Sequence, residues 1–278
     1  MKTPVMMVHG MCCTSDVWAS FRTFFEERGT RVYTPTLRAD TRISIRDKPS
    51  VALHALRFGD YVSDLEREAK RIEVETGRKP AVIGHSMGGL LAQALAERDC
   101  VSAAAWISPA PSAGTHDLQS SLFWFAVRAA HALRIAPLSI KPARKAVYSQ
   151  VFNALPKADR EAAYNGMVYE SGPAFAAMGH WAIDESKIRV PVLTVAATRD
   201  KLVPAKLVRS AAKKYAAVGG EFREYADHGH WLYAEPGWEK PAADIYAWLR
   251  AATLHLDAPL DVTDAARDVQ AVPGEVRV

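Results

Sequence analysis

The run Gly84-His85-Ser86-Met87-Gly88 sets one serine between two glycines, each two residues away. A serine hydroxyl is a weak nucleophile at neutral pH and attacks a carbonyl only with help. Part of that help is geometric. A buried strand leading in and a helix leading out present the hydroxyl on a sharp turn. Ala81-Val82-Ile83 supplies the strand and Met87 to Arg98 the helix. Such a turn leaves no room for large side chains beside the serine, which accounts for both glycines. The serine backbone is expected to be strained, lifting Oγ clear of the sheet. The amides opening the helix point at the same spot and favour developing negative charge. A glycine-rich strand-to-helix turn without chemistry would read the same way, so the partners of the serine decide.

Such a serine needs a base in contact and an acid to orient the base, in the chain order Ser, Asp or Glu, His. Asp200 follows the late apolar run Val192 to Val195, with Lys201-Leu202-Val203-Pro204 after it. A helix cap for the segment near Ala205 is its bland alternative. The base should follow the last strand, and His228-Gly229-His230-Trp231 comes just after Glu221 to Tyr225. Two histidines compete there. The glycine-histidine pair favours His230 as the base and leaves His228 as a loop residue near it. His9-Gly10-Met11-Cys12 follows the first apolar strand. The backbone amides of Met11 and Met87 would then form a two-donor site for an oxyanion, where losing one donor typically costs on the order of 10²–10³ in rate.

The elements that must position these residues follow a rhythm. Short apolar runs at Val5 to Val8, Arg31 to Thr34, Ala81 to Ile83, Ala103 to Ile107, Val190 to Val195 and Glu221 to Tyr225 alternate with amphipathic stretches. That order predicts a parallel sheet flanked by helices. Helices are expected over Trp18 to Arg28, Asp60 to Glu75, Ala205 to Ala217 and Lys240 to Ala252, with Gly29 and Gly77 as stop signals. The stretch from Ser112 to Lys187 breaks the rhythm and reads as helical. The expected organisation is a first core part over 1–111, a helical lid over 112–187, a second core part over 188–256 and an aperiodic, disordered tail over 257–278.

These four pieces, namely His9-Gly10, the Ser86 turn, the Asp200 loop and Gly229-His230, resemble the α/β-hydrolase superfamily in its lidded, esterase- and lipase-like branch. The resemblance covers about Pro4 to Ala252. It implies a doubly wound, mostly parallel sheet of about eight strands, with the helical lid inserted before the strand that bears the acid. It also implies no metal or organic cofactor, and a catalytic triad of Ser86, Asp200 and His230. The expected activity is hydrolysis of a carboxylic ester, lactone or acyl lipid through an acyl-enzyme. The same fold serves C–C bond hydrolysis, acyl transfer, lyase and cofactor-free oxygenation chemistry, and a non-catalytic small-molecule binder is the rival of another class. The adjacent pair Cys12-Cys13 is unusual beside an oxyanion loop.

Other features have plain explanations. His85, Phe123, Trp124, Met178, Trp181 and Trp231 could line an apolar substrate pocket, but buried aromatics mostly pack a core. Asp117 is the only acidic residue between Thr115 and Gln150, a stretch holding Arg128, Arg134, Lys141, Arg144 and Lys145. Such a face could guide an anionic substrate or touch a membrane, although a solvated helix face is the plainer expectation. The chain has 278 residues and a formal charge of +4, with no nucleic-acid-binding motif. Three cysteines, two of them adjacent, make no disulfide framework. No apolar run approaches the ~18 residues of a transmembrane span, and the first ten residues lack a signal-peptide core. A soluble, cytoplasmic protein is expected.

Overall fold

In the computed structural model, which describes residues 1–115 and 118–257, six strands form one parallel sheet. The strands are β1 (Val5–Val8), β2 (Val32–Tyr33), β3 (Ala81–His85), β4 (Ala103–Ile107), β7 (Val192–Ala197) and β8 (Glu221–Tyr225), in the order β2-β1-β3-β4-β7-β8. The six apolar runs of the sequence thus become the six strands, where the resemblance implied about eight. β1, β3, β4 and β7 are buried on both faces. Alternate side chains serve two cores. Met6, Val8, Val82, Ala104 and Trp106 face one, and Val5, Met7, Ile83, Ala105 and Ile107 face the other.

Helices cover both faces. α1 (Ala19–Glu26) and α9 (Glu239–Ala252) bury Phe21, Phe25, Ile245 and Trp248 on one side. On the other, α2 (Phe58–Thr76) buries Tyr61, Val62, Leu65, Ala69 and Ile72, and α3 (Met87–Glu97) is buried over ten of its eleven residues. The spacing of three and four along α2 is the amphipathic period, and Gly77 ends it at φ 71°, a conformation glycine adopts without steric cost. α8 (Ala205–Ala212) packs on β7 and continues as a 3₁₀ turn to Val218. Connections from β1 lead to β2 on one side of it, and those from β2 lead to β3 on the other. The C-terminal ends of β1 and β3 therefore flank the point where strand order reverses, the place where open α/β sheets bind ligands.

Between β4 and β7 the chain forms α4 (Leu118–Ala132), β5 (Ser139–Ile140), α5 (Arg144–Ala146), a π-helical turn (Val147–Val151), α6 (Arg160–Asn165), β6 (Glu170–Ser171) and α7 (Gly172–Met178). β5 and β6 pair antiparallel, a two-residue ladder with no run of apolar residues to announce it. This insertion is tied to the loop after β2 by a bridge between Ser44 and Val168. After α9 a last turn of helix, α10 (Leu254–Asp257), closes the described chain. Beyond Asp257, the aperiodic tail expected from the sequence lies outside the described residues. Among the described residues, no helix is long and apolar enough to cross a membrane.

Candidate active site

Ser86 sits between β3 and α3 with φ 54° and ψ −119°, a region that costs a non-glycine residue free energy. Its main chain is held there. Its amide donates to the Ile107 carbonyl at 3.0 Å, and its carbonyl accepts from Gly89 and Ala110, both at 2.9 Å. The Ser86 side chain makes no cap hydrogen bond to α3. The glycines are required by contact rather than by conformation. A Cβ on Gly84 would lie 2.1 Å from the Gly88 carbonyl oxygen, and one on Gly88 would lie 2.2 Å from that of Val8.

The structure brings His230 and Asp200 together. The ring Nδ1 lies 2.8 Å from Asp200 Oδ2, with both side chains buried. The other oxygen, Oδ1, accepts from the amides of Leu202 and Val203 at 2.9 and 2.8 Å. Asp200 therefore closes a local turn and orients the histidine. It does not cap α8, whose cap is Pro204. With Nδ1–H directed at the carboxylate, the hydrogen-bond network leaves Nε2 as the basic nitrogen of His230. His228 stands apart: its Nδ1 is 3.4 Å from Glu235 Oε2, outside hydrogen-bond geometry.

The loop after β1 reaches the serine. A Cβ on Gly10 would meet Ser86 Cβ and His85 Nδ1 at 3.2 Å, so a larger residue would have to push these neighbours back by a few tenths of an ångström. As the first residue of α3, Met87 has an amide with no intrahelical acceptor, like the first amides of any helix. His9 braces the loop from below. It is fully buried, its Nδ1 contacts the Gly10 carbonyl at 2.8 Å and its Nε2 accepts the Leu37 amide at 3.0 Å. Burial, with the nearby Arg42 charge, lowers its pKa to about 4, so it is neutral. Cys12 follows at φ 60°. Burial pushes both neighbouring thiols up, Cys13 to about 12, so neither is a thiolate near neutral pH.

The sequence did not announce three further residues. Glu170 of β6 is fully buried; it takes Arg42 Nη1 at 2.7 Å, Tyr61 Oη at 2.6 Å, its neighbour Ser171's amide at 2.9 Å and the Cys12 amide at 3.4 Å. Burial alone would raise the Glu170 pKa, but the Arg42 charge and these hydrogen bonds outweigh it and hold the carboxyl below its usual range. One carboxylate thus joins the insertion, α2, the loop after β2 and the loop after β1. Glu235 accepts from the amides of Gly229 and Trp231, and Arg42 also donates to the Leu37 carbonyl. The only hint was an acidic residue, Glu235, following the otherwise apolar run Trp231 to Ala234.

Of the expected pocket residues, His85 is 1 % exposed and its Nε2 lies 2.8 Å from the His230 carbonyl oxygen. Burial, with His230 nearby, holds its pKa well below the ordinary value. Trp231 is buried against Phe152 and Tyr233. Trp124 and Met178 are buried in the core that holds Met87, and half-buried Trp181 packs there against Phe58. Phe123 is 52 % exposed. A separate cavity between α3 and α8 is lined by Gln93, Trp106, Ala110, Val203 and Tyr215, without Ser86 or His230 in its walls.

Solved structures share this arrangement of elements. Polyneuridine aldehyde esterase is 19 % identical over 88 % of this chain and 99 % of its own, with a TM-score of 0.66. A methylesterase from Arabidopsis is 14 % identical over 91 % and 99 %, with a TM-score of 0.67. A monoacylglycerol lipase from Paleococcus ferrophilus is 20 % identical over 90 % and 96 %, with a TM-score of 0.62. At these identities the likeness is one of fold. No curated protein matches the chain. The alpha/beta hydrolase family model matches residues 5–247, most of the chain, and the chain belongs to that family.

Proposed function

We propose that this protein is a serine hydrolase that cleaves a carboxylic ester, lactone or acyl-lipid bond, with Ser86 as nucleophile, His230 as base and Asp200 as its orienting acid. The observation that carries the reading is the buried 2.8 Å contact of Asp200 with His230 Nδ1, at the end of the sheet where Ser86 is held at φ 54°. The family, and neighbours named as esterase, methylesterase and lipase, make an ester the first substrate class to test.

In this reading His230 Nε2 takes the Ser86 proton as Oγ attacks the carbonyl carbon, and the Met11 and Met87 amides bind the resulting oxyanion. The proton passes to the leaving alcohol as the C–O bond breaks. Water, deprotonated by the same histidine, attacks the acyl-enzyme and releases the acid. Asp200 holds the ring and offsets its transient charge. The insertion between β4 and β7 acts as the lid, with Trp124, Met178 and Trp181 giving the site an apolar wall.

Hydrolysis of p-nitrophenyl esters of increasing acyl length, with Ser86→Ala in parallel, tests this. Turnover that Ser86→Ala removes is the expected result, and the preferred length sizes the pocket. Folded protein that turns over no ester, and takes no label from a fluorophosphonate, would refute it.

A further inference from the structure

α4 faces the fold with one side only. Trp124 packs on Phe175 at 4.9 Å between ring centres and against Gly179, where a Cβ would come within 2.1 Å of the ring. The opposite side is bare. Leu122, Phe125 and Leu133 are 62, 69 and 70 % exposed, at the spacing that aligns residues along one helix face. Ile135 and Leu138 continue the patch at 74 and 52 %. Single exposed apolar residues are ordinary, but six of the eleven large ones exposed among the described residues fall between Leu122 and Leu138. The turn that ends α4 holds Arg134 at φ 57°, with the Ile135 amide bonded back to Ala130, so a basic residue stands between two exposed apolar ones.

The stretch of sequence that carries this face has charge of one sign. From Leu118 to Ala158 the sequence holds six basic residues and no acidic one. Arg144 is paired with Glu161, whereas Arg128, Arg134, Lys141 and Lys145 are exposed with no acidic partner among the described residues. A second copy of the chain would bring like charges together across a two-fold axis. A nucleic acid would leave the apolar stripe without a partner. Apolar side chains flanked by lysine and arginine match the boundary of an anionic lipid bilayer, where apolar groups enter the acyl region and cations stay among the headgroups. We propose that the outer face of α4 and the turn after it form a docking surface for an anionic membrane. This needs neither the triad nor any turnover.

Flotation of the full-length protein with vesicles tests it, using phosphatidylcholine alone against an equal mixture with phosphatidylglycerol. The expected result is binding at least about tenfold stronger to the anionic vesicles, and weakened by added salt. Arg128→Glu with Arg134→Glu should abolish that preference, and Leu133→Asp with Ile135→Asp should weaken binding to both. All variants should keep the wild-type circular dichroism spectrum and turnover of a short soluble ester. Absence of vesicle binding, or binding that these substitutions leave unchanged, would overturn the proposal. A solution dimer broken by Leu133→Asp, without vesicle binding, would also overturn it and assign the face to a second copy. Vesicle binding by a chain that hydrolyses no ester would uphold this surface while refuting the hydrolase reading.

Discussion

Glu235 grips the main chain on both sides of His230. Its Oε2 accepts from the Gly229 amide at 2.6 Å and its Oε1 from the Trp231 amide at 3.2 Å. The His230 carbonyl meets His85 Nε2 at 2.8 Å, and the ring meets Asp200. The proposed base is thus held by its ring, its carbonyl and both neighbouring amides. Glu235→Gln keeps the shape but offers one acceptor oxygen where two are used. Ester turnover should then show kcat reduced about 10–10²-fold with KM changed little, since displacing a reacting group by about 1 Å costs on that order. An unchanged kcat would mean that Asp200 alone fixes the ring.

His228 and His230 differ in the same way. Only His230 has a carboxylate hydrogen-bonded to Nδ1; the His228–Glu235 approach lacks the geometry of a hydrogen bond. His230→Ala should remove turnover by at least about 10³-fold, as loss of a triad member does, while His228→Ala should cost less than about tenfold. Steady-state rates of both variants on one ester decide it, and the reverse order would move the base to His228.

The residues of the proposed triad stand out because they lie beside signals that a linear reading detects. Ser86 is bracketed by glycines, Asp200 follows an apolar strand, and His230 follows the last strand. Glu170 and its partners give no such signal. Glu170 lies in a stretch without periodicity, and its partners Tyr61 and Arg42 are 109 and 128 positions away. His85 reads as a pocket residue because it is adjacent in sequence to the proposed nucleophile. The carbonyl that claims it is 145 positions on. The strand count followed the apolar runs themselves and not the resemblance. Contacts set by long-range packing, such as β5 with β6, have no local pattern to reveal them.

Acid should destabilise the fold earlier than carboxylate titration alone would. His9 has a pKa of about 4 when folded and ~6.5 when unfolded. Between those values the unfolded chain binds a proton that the folded chain refuses, so stability falls as pH falls. The contribution is fully present above about pH 6.5 and is lost toward pH 4, about 3 kcal/mol for a shift of this size. His85 acts in the same direction, and Glu170, held low, extends the loss below about pH 4.3. Melting temperature should drop steadily from pH 7 to pH 4, and His9→Asn, though less stable at pH 7, should show a flatter slope over that window. A flat wild-type profile would contradict the burial of neutral histidines.

The Arg42–Glu170 pair should be costly to break from one side. Glu170→Ala leaves a guanidinium buried without its carboxylate and should destabilise by roughly 3–5 kcal/mol. Arg42→Met combined with Glu170→Leu should recover much of that, because no charge is left unpaired. Urea unfolding of the single and double variants measures the coupling, and additive losses would show that the two residues act independently.

Glycines around the serine and elsewhere should respond to alanine with opposite signs. At Gly88 the added methyl meets the carbonyl oxygens of Val8 and His9 at 2.2 and 2.6 Å, backbone atoms of a central strand and its loop that cannot move aside. Gly88→Ala should therefore lose soluble folded protein or, if it folds, lose turnover. Gly59 lies in the first turn of α2, where the same methyl meets nothing nearer than the Trp181 ring at 3.7 Å. There alanine reduces the freedom of the unfolded chain and suits a helix better, so Gly59→Ala should stabilise by about 0.5–1 kcal/mol. Thermal melts of the two variants give the comparison. Equal tolerance at both sites would mean that the packing of α3 against β1 is looser than these contacts require.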